Sequence, residues 1–317
     1  MKFFALLLAF ISGIAWAQVY PSKPVRVIVT FPPGGTPDIY GRVMSAELQK
    51  LWNQPVVVEN RTGAGGTIGT DAVAKAPPDG YTLLFAADAT LTLAPAVIPR
   101  LPYDPLRDFA PIVNVTTGPF VLLAHPSFPA SSVQELIALA KAQPGKIPYA
   151  SSGAGTQQHL SMETVRAMTG IEMLHVPYKG FGQGVTDVMA GQVPLIFGGI
   201  TASIQYINGG KLKGIAVTSP RRAKALPQLP SFAEAGLPGF DIQAWYGFLA
   251  PAGTPRDIVR KVNADALAIL GRPDFQERLA KDGIEPVGGT PESFAAQIKA
   301  DIERWAKVVK AAGVKPE

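Results

Sequence analysis

The stretch that most constrains the fold lies near the N-terminus, where a short β-branched run passes through two glycines into a helix start. The run covers residues 25–29, and Phe31-Pro-Pro-Gly-Gly-Thr-Pro-Asp38 follows it. Gly34 and Gly35 allow backbone conformations that other residues avoid, and Thr-Pro-Asp is typical of a first helical turn. The sequence therefore predicts a strand, a tight turn and a helix in direct succession.

The free N–H groups and the positive dipole end of such a helix would point into the space above the strand end, where a carboxylate or phosphate accepts them. A plain strand-to-helix turn is the alternative, and this segment alone leaves both open. The candidate ligand-binding residues here are Phe31, Pro33, Gly34, Gly35, Thr36 and Asp38. Phe31 is placed to stack on a ligand. For Asp38 we favour completion of the first helical turn over contact with a ligand ammonium or ordered water.

The first 17 residues have the pattern of a cleavable signal peptide. Lys2 supplies a positive start, residues 3–14 form a nearly unbroken apolar run, and Ala15-Trp16-Ala17 matches the small-x-small motif of signal peptidase. A membrane anchor is disfavoured, because spanning the roughly 30 Å hydrocarbon core takes about 20 apolar residues. We therefore predict export to the periplasm with cleavage after Ala17.

The composition narrows the class of partner. The chain contains no cysteine, which fits an envelope protein without disulfides. Lys2 is the one charged residue of the predicted signal peptide, so the mature charge is one unit below the +5 of the full chain. No basic motif interleaved with aromatics and no zinc-finger spacing occurs, so we expect no nucleic-acid partner. An acidic small molecule is compatible with the charge.

About 300 mature residues exceed what one hydrophobic core usually serves, so two domains are expected. Apolar periodicity predicts an α/β architecture for both. The predicted strands are 25–31, 55–59, 81–87, 112–115, 120–124, 147–151, 173–176, 193–197, 214–217 and 242–250, and the predicted helices are 40–51, 132–141, 157–168, 256–270 and 291–311. Leu51 and Met168 are expected to face inward on their helices.

A second small-residue turn echoes the first. Gly153-Ala-Gly155-Thr156 lies between a predicted strand and a predicted helix. Ligands of α/β proteins bind in crevices outside the carboxyl ends of strands, so two such turns predict a ligand gripped between two units by hinge closure. Asp88 and Thr90, just past another strand end, are further candidates. Trp245 and Tyr246 would either line the cleft or fill the joint between the domains.

Nucleotide and catalytic motifs are absent. Gly63-Ala-Gly65-Gly66-Thr-Ile-Gly69 has Ile68 where GxGxxG needs its third glycine, and no GK[ST] loop occurs. The mature sequence has no GxSxG motif, and the histidines are His125, His159 and His175. His159 and Glu163 have the i,i+4 spacing of a metal-binding pair, but we favour a packed histidine near a helix start. No catalytic residue, metal or cofactor is therefore predicted.

With these motifs in view, the chain resembles the Bug-type extracytoplasmic receptors of tripartite tricarboxylate transporters. The resemblance covers essentially the whole mature chain. It rests on Phe31-Pro-Pro-Gly-Gly with Asp38 and Arg42, Val58-Glu-Asn-Arg-Thr-Gly-Ala-Gly-Gly66, Pro78-Asp-Gly-Tyr81, Leu101-Pro-Tyr-Asp-Pro105 with Asp108-Phe109, Tyr149-Ala-Ser-Ser-Gly with Gly155-Thr156 and His159, Val176-Pro-Tyr-Lys-Gly180, Leu229-Pro230 with Glu234 and Gly236, Trp245-Tyr-Gly247 and Ala250-Pro-Ala-Gly-Thr-Pro255.

The resemblance implies a type II periplasmic binding protein fold, in which two α/β domains are joined by two crossing strands with the ligand cleft between them. The expected domains are 18–121 with 245–317, and 122–244. It also implies a monomer that binds a small carboxylate through backbone N–H groups and ordered waters, and that serves cognate transporter membrane subunits. The carboxylate would meet the first turn at residues 34–36 and the second at Ser152, Gly153, Gly155 and Thr156, with His159 nearby.

One departure from the family pattern concerns selectivity. Where the family commonly has an acidic residue after an apolar strand, this chain reads Phe197-Gly198-Gly199. We therefore expect a roomier and less negative far pocket at Gly198 and Gly199, suited to a dicarboxylate or an aromatic acid rather than an amino acid. A solute receptor is the leading hypothesis. The alternatives are a secreted hydrolase or isomerase that uses Asp88 with His159, and a structural envelope protein with a vestigial cleft.

Overall fold

The computed structural model describes residues 20–311 and 313. The predicted signal peptide and its cleavage site lie outside this range. Within it, no helix combines the length and the apolar character needed to cross a membrane.

Strands and helices alternate along most of the described chain. The strands are β1 (Val25–Val29), β2 (Val56–Asn60), β3 (Thr82–Ala87), β4 (Phe109–Ala124), β5 (Pro148–Ser151), β6 (Leu174–Pro177), β7 (Leu195–Gly199), β8 (Lys213–Val217), β9 (Gln243–Pro251) and β10 (Glu285–Gly288). The helices are α1 (Thr36–Trp52), α2 (Thr67–Ala74), α3 (Ala94–Val97), α4 (Val133–Ala142), α5 (Gln157–Thr169), α6 (Phe181–Met189), α7 (Ile200–Asn208), α8 (Arg256–Leu270), α9 (Pro273–Lys281) and α10 (Pro291–Ala311). A π-helical turn, Ala89–Leu93, precedes α3.

The strands pair in the order β2-β1-β3-β9-β4-β7-β5-β6, and β10 and β8 also pair with β4. The long strand β4 belongs to two sheets. Its residues 109–119 pair with β9, and its residues 120–124 pair with β7 and β8. The chain returns from the second sheet through β9. Two α/β domains are thus joined by two crossing strands, and the predicted fold class is confirmed. The first domain carries β1, β2, β3, β9 and β10, and the second carries β5 to β8.

β4 is the main difference from the predicted strands. The sequence predicts separate extended segments at 112–115 and 120–124, because Gly118 and Pro119 resemble a break. The strand continues through them, since Gly118 and Pro119 stay in register with Ala244 and Gln243 of β9. Pairing with a neighbouring strand overrides the local signal.

The strand β1 is buried on both faces, which explains its unbroken β-branched run. Val27 and Val29 pack with Tyr40 and Met44 of α1, and Ile28 packs with the opposite layer. Burying each such side chain contributes roughly 1.5 to 3 kcal/mol. This packing fixes α1 against the sheet and so fixes the glycine turn between them.

The predicted bounds of α8 and α10 are confirmed. The inward assignments of Leu51 and Met168 are wrong, since these residues are 53% and 43% exposed. Each lies within two residues of the end of its helix. The short helices α2, α3, α6, α7 and α9 and the strand β10 were not predicted.

The C-terminal helix α10 packs on both domains. Phe294 and Ile298 lie in the first-domain cluster with Trp245, whereas Trp305 and Val309 lie in the second-domain cluster with Phe120. The helix is therefore part of both hydrophobic cores.

Replacing Trp305 by alanine is expected to lower the free energy of unfolding by about 3 to 5 kcal/mol, the usual cost of deleting a buried aromatic ring. Trp305→Phe should cost much less, because the fully buried indole N–H has no hydrogen-bond partner among residues 20–311 and 313. Urea unfolding followed by circular dichroism measures both. Lys307→Ala, at an exposed position of the same helix, is the control. Equal stability of Trp305→Ala and Lys307→Ala would contradict the packing of α10.

Candidate ligand cleft

The first glycine turn joins the carboxyl end of β1 to α1. Gly35 precedes the first helical residue in an extended conformation, and no side chain caps the helix. Gly34 has a φ of +85°, which favours glycine. Residues 32–35 are exposed, and Phe31 and Thr36 are half-buried. The turn therefore presents an uncapped helix N-terminus at the sheet edge.

Hydrogen bonds to the carboxylate of Asp38 hold this turn together. Asp38 is 4% exposed and accepts hydrogen bonds from the Gly34 N–H at 3.0 Å, Asn60 Nδ2 at 2.8 Å and Arg42 Nε at 2.9 Å. Burial opposes ionisation, but the hydrogen bonds from Gly34 and Asn60 and the Arg42 charge together lower the pKa of Asp38. These contacts support the structural role favoured from the sequence.

The second turn joins β5 to α5. Gly153 and Gly155 both have positive φ, +133° and +69°. The Thr156 hydroxyl caps α5 by accepting from the His159 N–H at 3.4 Å. The Gly155 N–H donates to His159 Nδ1 at 3.0 Å, so this N–H group is already engaged within the domain. Ser152 Oγ is buried in the same turn and has no hydrogen-bond partner within the described part of the chain.

Three stacked rings support the second turn. The imidazoles of His159 and His175 lie 3.9 Å apart and within 4° of parallel, and the Tyr149 ring stacks on both. His175 Nε2 hydrogen-bonds Ser151 Oγ at 2.6 Å. Burial and the neighbouring His159 lower the pKa of His175 to about 4. His175 is therefore neutral at ordinary pH and acts as a packing and hydrogen-bonding group.

The carboxylate of Glu163 is held by neighbouring side chains. It accepts from Tyr149 Oη at 2.8 Å and from Arg166 Nη1 at 2.6 and 2.7 Å, and His159 Nε2 lies 3.6 Å away. Within residues 20–311 and 313, no group of three or more His, Asp or Glu side chains is arranged to hold a metal ion. The His159 and Glu163 pair belongs to the packing of α5.

Asp88 connects the two domains. It follows β3 in the first domain, and its Oδ2 accepts from Nε2 of Gln157, the first residue of α5, at 2.6 Å. Thr90 is fully buried, and its hydroxyl donates to the Ala87 carbonyl at 3.0 Å. The predicted ligand contact of Thr90 stays a prediction, while Asp88 lies directly beside the second turn.

Tyr246 connects the first turn to the same region. It lies on β9 in register with Ala87 of β3 and Thr116 of β4, and its hydroxyl hydrogen-bonds Thr36. Its neighbour Trp245 donates to Asp301 Oδ2 at 2.9 Å and packs on Phe294, so it fills the first domain. Of the two aromatics, Tyr246 is the one that reaches the cleft.

Phe181 occupies the space expected to be open beside Gly198. A Cβ atom added to Gly198 would lie 2.7 Å from the Phe181 ring and 2.7 Å from Ser203 Oγ. The expectation of extra room at this position is therefore wrong. At Gly199 an added Cβ would meet nothing within 4 Å, and this residue lines a narrow gap between the domains with Thr36 and Tyr246.

Sequence reasoning did not identify Phe181, Gln157 and Val97, which contact the candidate residues Gly198, Asp88 and Gly155. Phe181 begins α6 directly after the Tyr178-Lys179-Gly180 motif, and Gln157 directly follows the second turn, so their positions beside motifs were available signals. Val97 lies opposite Gly155, at 3.2 Å from a Cβ added there. No local pattern marks Val97, since the contact depends on how the two domains face each other.

Comparisons of sequence and of structure with known proteins agree on one family. Residues 40–314 match the sequence model described as "Tripartite tricarboxylate transporter family receptor". The chain is 39% identical over 300 residues to Protein BugT of Bordetella pertussis, covering 94% of this chain and 92% of that protein.

Solved structures with bound acids are also similar. Rpa4515 of R. palustris with adipate has a TM-score of 0.88 at 36% identity, covering 94% of this chain and all of that one. MatC from Rhodopseudomonas palustris with bound malate has a TM-score of 0.82 at 33% identity, covering 92% and 100%. These relatives are solute receptors and not enzymes. The chain therefore belongs to the receptor family of the tripartite tricarboxylate transporters.

Proposed function

We propose that this receptor captures a small dicarboxylate or aromatic acid between its two glycine turns by domain closure, and delivers it to the membrane subunits of a tripartite tricarboxylate-type transporter. The observation that carries the proposal is the convergence of the two turns. Thr36 of the first turn bonds Tyr246, and Gln157 beside the second turn bonds Asp88, which follows the strand next to Tyr246. One small anion between them would reach both helix N-termini.

The ligand class follows from the site and from relatives. Adipate and malate, seen with the receptors of similar structure, are both dicarboxylates. The Phe181 ring beside Gly198 gives the second domain an apolar wall, which suits a methylene chain or an aromatic ring. We infer that the receptor is a periplasmic monomer whose signal peptide is cleaved after Ala17. Its ligand-binding residues are the candidates named from the sequence. Its two domains are residues 18–121 with 245–317, and residues 122–244.

The enzyme alternative has no support from the proposed acid and base. His159 Nδ1 is occupied by the Gly155 N–H, and Asp88 Oδ2 by Gln157. Each of these atoms is therefore engaged in a hydrogen bond that stabilises the site.

Calorimetry with adipate, malate and benzoate tests the proposal, with the neutral isosteres adipamide and benzamide as matched controls. At least one acid should bind saturably and be recovered unchanged, while its amide should not bind, because the helix N-termini stabilise negative charge. Native mass spectrometry of co-purified ligand extends the screen to other acids. Chemical conversion of the acid, or equal binding of acid and amide, would contradict the proposal.

A further inference from the structure

Asp88 is buried in an unusual way for a carboxyl group. Asp88 is 1% exposed. Its Oδ2 accepts the cross-domain hydrogen bond from Gln157, whereas its Oδ1 is fully buried and has no hydrogen-bond partner among the described residues. A buried carboxylate is costly unless donors compensate its charge, and protonation removes that charge.

The charged groups around Asp88 do not compensate for its burial. From α10, Asp301 and Arg304 face it, and from β9 the Tyr246 hydroxyl does. Arg304 already pairs with Asp301 at 3.2 Å and donates to the Asp241 carbonyl at 3.0 Å. Burial, and then the Asp301 charge, raise the pKa of Asp88 to about 8, against the opposing effects of the Ala89 N–H, Arg304 and Gln157.

Asp88 contacts the second domain through Gln157, so its environment depends on how the two domains meet. Opening the cleft would break this hydrogen bond and would let water reach the carboxyl group, which reverses the burial that raises its pKa. The carboxyl group of an open cleft would then return toward its ordinary pKa. Between that ordinary value and about pH 8, the closed form therefore holds more protons than the open form.

We propose that Asp88 is a specificity-determining residue that is protonated in the closed receptor, so that capture of the carboxylate ligand takes up one proton. This inference rests on the proposed function. The neutral acid removes a negative charge from the region beside the second turn. It therefore favours an anionic ligand over one that carries an ammonium group.

The direction of the pH dependence follows from the higher pKa of the closed form. Affinity should fall as pH rises toward 8, by up to tenfold per pH unit while one full proton is taken up, and should level off above that value. Free carboxylic acids are already ionised in this range, since their pKa values lie near 4 to 5. His175 also stays neutral, because its pKa is lowered to about 4.

Calorimetry with adipate, malate and benzoate at pH 6.5, in phosphate and in Tris, measures the protons taken up on binding, because the two buffers differ in ionisation enthalpy. Wild-type protein should take up close to one proton with each acid that binds. Asp88→Asn should take up none and should lose the pH dependence between pH 6.5 and 8.5. Asp257→Asn, an exposed position on α8, is the matched control and should behave as wild type.

Carbon-13 NMR of the aspartate carboxyl groups gives a check that needs no variant, since one aspartate of the liganded wild-type protein should titrate above pH 7. Binding without proton uptake, uptake that persists in Asp88→Asn, or no aspartate titrating above pH 7 would each overturn the inference and leave the proposed function standing. If no carboxylate binds in any buffer, the proposed function fails and the inference fails with it.

Discussion

Replacing Gly155 by valine is expected to weaken ligand capture by about 5- to 150-fold while the ligand-free protein still folds. Gly155 has a φ of +69°, a conformation that costs other residues about 1 to 3 kcal/mol and is least accessible to β-branched ones. An added Cβ would also stand 3.2 to 3.3 Å from Val97 of the first domain. The new side chain therefore strains the turn and obstructs the contact that the domains make when they close.

Gly170→Val is the matched control for this experiment. Gly170 ends α5 with the same φ of +69°, but a Cβ added there meets nothing within 4 Å. Both variants should lose stability in thermal unfolding, and only Gly155→Val should lose affinity in calorimetry. Undiminished affinity of Gly155→Val for an acid that binds wild type would refute the role of this turn. An equal loss in Gly170→Val would show that strain alone is responsible.

The second large effect concerns the contact between Gly198 and Phe181. Gly198→Asp should weaken dicarboxylate binding by about 1 to 3 kcal/mol, the usual cost of a buried polar mismatch. The aspartate brings a like charge toward the ligand, and its Cβ must displace the Phe181 ring, which lies 2.7 to 2.8 Å from it. The double variant Phe181→Ala with Gly198→Asp removes the conflict with the ring and keeps the charge, while the close approach to Ser203 Oγ remains.

Glutarate and glutamate separate these effects, since they differ only by the α-ammonium group. Wild-type protein should prefer glutarate, and the double variant should shift toward glutamate because its carboxylate pairs with the ammonium. Phe181→Ala alone keeps the site uncharged and should leave the order of the two ligands unchanged. Wild type preferring glutamate, or a double variant with the wild-type order, would mean that this part of β7 does not face the ligand.

The elements that could be predicted from the sequence are those with strong local signals. The β-branched run of β1 and the apolar periodicity of α8 gave correct elements, because propensity and periodicity agree there. The helix α6 was missed, because Gly182 and Gly184 lower its helix propensity and its position depends on packing. Gly184 in turn allows close approach to Ile196 of β7, at 2.9 Å from an added Cβ.

The candidate site also has parts that could be predicted from the sequence and parts that could not. Both glycine turns were predicted, because a turn that joins a strand to a helix is a local feature. Asp88 and Gln157 are separated by 69 positions, and their hydrogen bond depends on how two domains meet. Phe181 likewise reaches Gly198 only because α6 packs on β7. A single sequence shows what each turn offers but does not show which side chains of the facing domain complete it.

The position of β9 and α10 at the end of the chain constrains the order in which the protein folds. β9 pairs between β3 and β4, so the sheet of the first domain stays divided until residues 243–251 are available. Two of the three hydrophobic clusters of the described residues are incomplete until α10 supplies Phe294 and Trp305. A chain that emerges from its N-terminus forward, during synthesis or passage through a membrane, therefore cannot reach the native state early. Late long-range pairing slows folding in general. Here the sheet of the first domain and the packing of α10 cannot be completed until nearly all of the chain has emerged.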